Sequence, residues 1–63
     1  MAQYRCYLLG SNGQLVGAET IYRPDDNEAL EEARQILARR VYATGFELRL
    51  NDHLIGSQEI KVS

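Results

Sequence analysis

Apolar and polar side chains alternate with a period that changes along this chain, and each change marks the boundary of an element. Residues 3–9, Gln-Tyr-Arg-Cys-Tyr-Leu-Leu, are rich in tyrosine and leucine. The turn formers Gly10-Ser11-Asn12-Gly13 follow, and the apolar run resumes at Leu15. Two such runs across a glycine-rich turn predict a β-hairpin with strands over about 3–9 and 15–22. Pro24 cannot donate to a sheet ladder and biases Arg23 toward an extended conformation, so the second strand stops there. Beyond it the period lengthens: Ala29, Leu30, Ala33, Ile36, Leu37 and Val41 recur at three- and four-residue intervals, the stripe of an amphipathic helix over about 26–41. Asp25 and Asp26 offer oxygens to the orphan N–H groups at its start, and Asp25 with Glu28 has capping-box spacing. Acidic residues gather toward the start and Arg34, Arg39 and Arg40 toward the end, which complements the helix dipole. Thr44-Gly45 supplies the stop.

Phe46-Glu47-Leu48-Arg49-Leu50 then alternates apolar and charged residues without a break, as a strand with one dry and one wet face does. A two-residue turn at Asn51-Asp52 pairs Leu50 with His53 and Leu48 with Ile55, giving a second hairpin over about 46–50 and 53–57 and placing Ile55 on the dry face. Ile60 and Val62 offer an extension of the last strand. No repeat, linker or low-complexity segment stands out. The expected fold is α+β, ββαββ, with one helix on one face of a four-stranded antiparallel sheet and residues 1–63 forming one domain. Setting the third strand beside the first gives order 2-1-3-4 with every neighbour antiparallel. Setting it beside the second requires a right-handed parallel crossover.

The first hairpin admits two registers. A two-residue Asn12-Gly13 turn pairs Cys6 with Glu19 and Leu8 with Gly17. A three-residue Ser11-Asn12-Gly13 loop, with Gly13 left-handed, instead sets Tyr4, Cys6 and Leu8 beside Thr20, Ala18 and Val16. The second keeps a charge off the helix-facing side and is preferred, although a slip of one residue exchanges the faces. In that register the face without a helix carries Arg5, Tyr7, Leu9, Leu15, Gly17, Glu19 and Ile21 with Glu47, Arg49 and Leu54. Scattered exposed apolar residues are normal. Tyr7, Leu9, Leu15, Ile21 and Leu54 are nonetheless the candidate interface, because a contiguous apolar patch marks a contact surface.

Size sharpens that expectation. A 63-residue chain buries only about 60% of the surface its unfolded form exposes, and small folds compensate with disulfides, metals or oligomerisation. Cys6 is the only cysteine, which excludes an internal disulfide and disfavours structural zinc. Self-association, most simply as a symmetric dimer, is the staple that remains. The formal charge of −2 gives no electrostatic footprint for nucleic acid or an anionic membrane. No apolar run reaches the length of a membrane span and no signal-peptide pattern opens the chain, so it reads as cytoplasmic.

Candidate chemistry is sparse. Cys6 points toward the helix as a buried structural thiol, whereas a reactive cysteine needs exposure and a thiolate-stabilising neighbour. A Cys6–His53 dyad would need hydrogen-bond contact that the spacing does not indicate, and His53 reads as a solvated turn residue. Asp25, Asp26 and Glu28 are explained by capping better than by a cation loop, which spreads its ligands over about 12 residues. The Gly10–Gly13 turn matches neither a nucleophile elbow nor a phosphate loop. Tyr4, Tyr7, Tyr22 and Tyr42 with Arg5, Arg23 and Arg49 suggest stacking on single-stranded nucleic acid. The acidic total and the single lysine argue against it, as does the assignment of Tyr4 and Tyr22 to the helix side.

Tyr4-Arg5-Cys6-Tyr7-Leu8-Leu9, the glycine turn, Asp25-Asp26-x-Glu28-Ala29-Leu30 and Gly45-Phe46-Glu47-Leu48 together resemble a group of small uncharacterised bacterial proteins across most of the chain. That resemblance implies no activity. The strand, acidic cap and Glu-Ala-Leu helix opening are also similar to small antitoxins of the HicB type, from which this chain departs in having only two strands before the helix and a hairpin after it. The expectation is a non-enzymatic accessory or protein-interaction domain without a cofactor, partnered by itself or another protein. A nucleic-acid-associated or antitoxin-like regulator is the alternative.

Overall fold

The computed structural model describes residues 1–59, so the proposed extension through Ile60 and Val62 lies outside the described residues. The chain runs β1 (Ala2–Leu9), β2 (Leu15–Arg23), α1 (Asp26–Arg39), β3 (Gly45–Leu50) and β4 (His53–Glu59). The four strands form one antiparallel sheet in the order β2-β1-β3-β4. This is the α+β arrangement expected from the pattern, and short connections account for it: Thr44 N–H donates to the Leu9 carbonyl at 2.8 Å, which sets β3 against β1 as soon as the helix has returned the chain.

Helix α1 starts where its caps place it. Asp25 is extended (φ −147°, ψ 170°) and its carboxylate accepts the Glu28 N–H at 2.9 Å, satisfying one of the orphan donors. Its end differs from the expected one. The helix stops at Arg39, Arg40 is extended, and the Ala43 N–H closes a turn onto the Arg40 carbonyl at 3.1 Å. Val41 sits at the corner of that turn, 98% exposed, and so leaves the apolar stripe to which it was assigned. Thr44-Gly45 opens β3 instead of capping the helix. The physical reason is the core: Ala43 is drawn into it, and a helix continuing to Val41 would carry Ala43 away from the sheet.

Both hairpins carry an extra residue. In the first, the loop has the expected geometry, with the Gly13 N–H donating to the Gly10 carbonyl at 2.9 Å and Gly13 at φ +75°, and Leu9 pairs with Leu15. The register then shifts, so that Leu8 opposes Gly17, Cys6 opposes Glu19 and Tyr4 opposes Ile21. Val16 is the bulged residue. The preferred register is therefore corrected along nearly the whole ladder, although its loop is right. In the second hairpin Leu50 pairs with His53 and Arg49 with Leu54 as the turn requires, but Leu48 opposes Gly56 and Ile55 is the bulged residue. The tripeptides Leu15-Val16-Gly17 and Leu54-Ile55-Gly56 thus do the same work opposite Leu8 and Leu48. A bulge sets two residues of one strand against a single residue of its partner. In each hairpin the inserted β-branched side chain packs against the core.

The core lies between α1 and one sheet face. Ala29, Ala33, Ile36 and Leu37 of the helix meet Tyr4, Cys6, Leu8, Ile21, Phe46 and Leu48 of the strands, with Leu30 partly buried beside them. Glycines allow close approach at two places. A β-carbon on Gly56 would lie 2.7 Å from Leu30 Cδ2, and one on Gly45 would lie 2.6 Å from the Gln58 carbonyl oxygen. The first contact is with the tip of a flexible side chain and the second with backbone. Gly45→Ala is therefore expected to destabilise the fold by about 1–3 kcal/mol, the usual cost of overpacking, and Gly56→Ala by less. Urea unfolding followed by circular dichroism gives both values, and equal stabilities for the two variants would contradict this reading of the β1–β3–β4 packing.

Candidate functional site

Side chains alternate across a strand, so fixing Tyr4, Cys6, Leu8, Phe46 and Leu48 toward the helix turns their neighbours outward. The outward face of β1 and β3 carries Gln3, Arg5, Tyr7, Leu9, Glu47 and Arg49. The bulges decide what joins them from the outer strands. Leu15, Ala18, Thr20 and Tyr22 come from β2, and Leu54, Ser57 and Glu59 from β4. Among the described residues nothing covers this face.

Of the candidate interface residues, Tyr7, Leu9, Leu15 and Leu54 lie here, the first two half-buried and the last two 60% and 53% exposed. Ile21 does not. It is fully buried under the helix, because the Val16 bulge moves β2 by one residue and exchanges its faces. The same shift takes Gly17 and Glu19 to the helix side and brings Ala18, Thr20 and Tyr22 out. Tyr22, 59% exposed, is thus a member of this surface that the hydrophobic pattern did not reveal. The signal was present as Gly17 inside a strand, since an isolated glycine in a strand pattern marks a bulge.

Cross-strand neighbours form rows over the face. Thr20, Arg5, Arg49 and Leu54 make one row; Ala18, Tyr7, Glu47 and Ser57 make the next. Arg5 and Arg49 sit directly opposite one another, an arrangement that like charges disfavour. Arg49 relieves it by donating from Nε to Glu47 Oε1 at 2.9 Å. Arg5 has no ion-pair partner among the described residues, and with Gln3, Tyr7 and Asn51 it lines a shallow depression. A second depression at the other end of the sheet is lined by Leu9, Gly10, Gly45 and Glu59, among others.

The titratable groups on the opposite side serve the fold. Tyr4, buried at its ring, donates its hydroxyl to Asp26 Oδ1 at 2.6 Å. That hydrogen bond, with burial and the charges of Asp26 and Asp25, pushes its pKa from 10.0 up to about 12. Cys6 is fully buried, and desolvation, reinforced by Glu19 and Glu32, pushes its thiol up to about 11. A thiol so placed stays protonated at neutral pH and is a poor nucleophile. His53 is exposed at the β3–β4 turn. Glu19 is held by Arg40, whose Nη2 donates to Glu19 Oε2 at 2.6 Å, so the charge on the helix side of β2 is paired. The guanidinium is stabilised in return, first by that hydrogen bond and then by the Glu19 charge. Arg23 pairs with Glu32 in the same manner, tying the end of β2 to the helix. Among the described residues no group of three or more histidine, cysteine, aspartate or glutamate side chains is placed to hold a metal ion. Among the described residues no helix is long and apolar enough to cross a membrane. No protein-family model, curated protein or solved structure matches the chain.

The raised pKa values have a definite sign. Tyr4 and Cys6 both hold their protons more tightly folded than unfolded, so their stabilisation is complete below about pH 9 and is lost as the pH climbs through 11 and 12. Absorbance titration at 295 nm is expected to show a tyrosine step near pH 12, and Tyr4→Phe to abolish it. Cys6 is expected to react with a thiol reagent only after denaturant is added. Rapid labelling in native buffer would contradict its burial.

Proposed function

We propose that this chain is a non-enzymatic protein-interaction domain that works as a homodimer through the helix-free sheet face. The observation that carries the reading is that Leu15, Tyr22 and Leu54, all more than half exposed, share the helix-free face with half-buried Tyr7 and Leu9. Aromatic residues and arginine are enriched at protein interfaces. A chain of 63 residues gains proportionally more from covering such a face than a large domain does. A cytoplasmic place of action belongs to the same reading, since a lone cysteine there stays reduced, and a bacterial origin rests on the resemblance of its strand and helix-opening residues.

One observation favours a second reading. The bulge brings Tyr22 onto the face of Tyr7, Arg5 and Arg49, which a single-stranded nucleic acid could use for stacking and phosphate contact. Glu47 and Glu59 on that face and the net charge of −2 oppose a polyanion. The homodimer is therefore preferred to the nucleic-acid-associated regulator.

Sedimentation velocity from micromolar to hundreds of micromolar concentration is expected to show a dimer, and Leu15→Ser with Tyr22→Ser to shift it to monomer with unchanged circular dichroism. A wild-type monomer throughout would refute the reading. Anisotropy with a labelled single-stranded RNA is expected to stay flat at low salt. A rise that weakens linearly with the logarithm of salt concentration would transfer the assignment to nucleic acid.

A further inference from the structure

We infer that two copies of this chain pack sheet to sheet about a two-fold axis that lies between the sheets and runs across the strands, so that Arg49 of each copy meets Glu47 of the other. The inference rests on the homodimer reading above and adds its geometry. A two-fold interface uses one patch against itself, so the charges on the helix-free face must complement their own image. Sheets packed face to face with their strands aligned admit an in-plane axis in either of two directions, along the strands or across them. An axis running along the strands between β1 and β3 lays β1 of one copy over β3 of the other. Because Arg5 and Arg49 are cross-strand partners at the same height, that axis would set Arg5 against Arg49 twice. Like charges brought together across an interface are strongly unfavourable.

An axis running across the strands lays each strand over its own copy in the opposite direction. Passing between the Arg5–Arg49 row and the Tyr7–Glu47 row, it exchanges those two rows. Arg49 then faces Glu47 of the second copy, and Arg5, which has no ion-pair partner among the described residues, faces the Tyr7 ring, a cation–π geometry. The outer rows exchange as well, so Tyr22 meets Leu15, two of the most exposed apolar side chains of the face. Facing sheets lie about 10 Å apart, a gap that arginine, glutamate and tyrosine side chains fill from both sides. The in-chain Arg49–Glu47 pair would join its image in a ring of four charges of alternating sign around the axis. The twist between packed sheets displaces the outer contacts more than the central ones, and β1 and β3 are the central strands.

Charge exchange tests this geometry directly. Glu47→Arg alone sets arginine against arginine, and Arg49→Glu alone sets glutamate against glutamate, so each is expected to weaken the dimer by about a hundredfold or more. Mixing the two variants restores opposite charges at both contacts, and the double variant restores them within one chain. Heterodimer on mixing and homodimer from the double variant are the expected results in sedimentation. Because Glu47 and Arg49 also pair within the chain, a second measurement uses exposed positions. A short bismaleimide is expected to link Leu15→Cys to Tyr22→Cys in a mixture and to link neither variant to itself. A wild-type dimer whose association survives both single charge changes, or in which Leu15→Cys links to itself, would overturn the axis while leaving the homodimer standing. A wild-type monomer would overturn both.

Discussion

Leu8 and Ile21 can share the dry side of the sheet only because β2 holds one residue more than β1 between the Leu9–Leu15 pair and the Leu8–Gly17 pair. That single insertion is the constraint on which the remaining structure depends. It sends Ile21 under the helix, gives Glu19 to Arg40 and Arg23 to Glu32, and leaves Thr20 and Tyr22 facing outward. The β3–β4 hairpin repeats it with Ile55 opposite Leu48. Both bulges pair a β-branched residue with a glycine. The branched side chain fills space beside the core, and the glycine leaves room for what lies above it: Tyr42 near Gly17 and Leu30 over Gly56.

The helix is fixed over this frame by polar contacts at both ends. Tyr4 rises from the central strand β1 and gives its hydroxyl to Asp26 in the first turn, while Arg40 just past the last turn reaches down to Glu19. An aromatic residue with a polar tip suits such a position, because the ring fills the core and the hydroxyl finds a partner at its margin. The acidic cap thus has two separable duties. Asp25 satisfies the helix backbone, and Asp26 receives the strand.

Much of this architecture was legible in the sequence for physical reasons that can be named. The helix start followed from Asp25, Pro24 and the apolar spacing; the strand order followed from short connections and unbroken alternation in β3. The helix end was not, since Val41 continues the 3.6-residue period and only the pull of Ala43 into the core stops the helix before it. The register of β2 was not either. Pairing counted outward from a correctly read three-residue loop fails at the first bulge. Avoiding a buried charge at Glu19 was sound in general, but it left out that Arg40 could neutralise that charge from the helix. For the surface the consequence was that Gly17, Glu19 and Ile21 left it and Ala18, Thr20 and Tyr22 joined it, so that Tyr22 replaced Ile21 among its large side chains.

Both insertions fall on the outermost strands, since β2 and β4 flank the sheet. A regular outer strand offers its unpaired N–H and C=O groups to any extended chain, and identical copies joined that way can add without end. A bulge breaks the spacing of those groups and twists the strand, so each margin of this sheet is interrupted near its hairpin turn. A strand added along either margin would therefore meet its first irregularity beside the hairpin turn, where Leu15 and Leu54 stand.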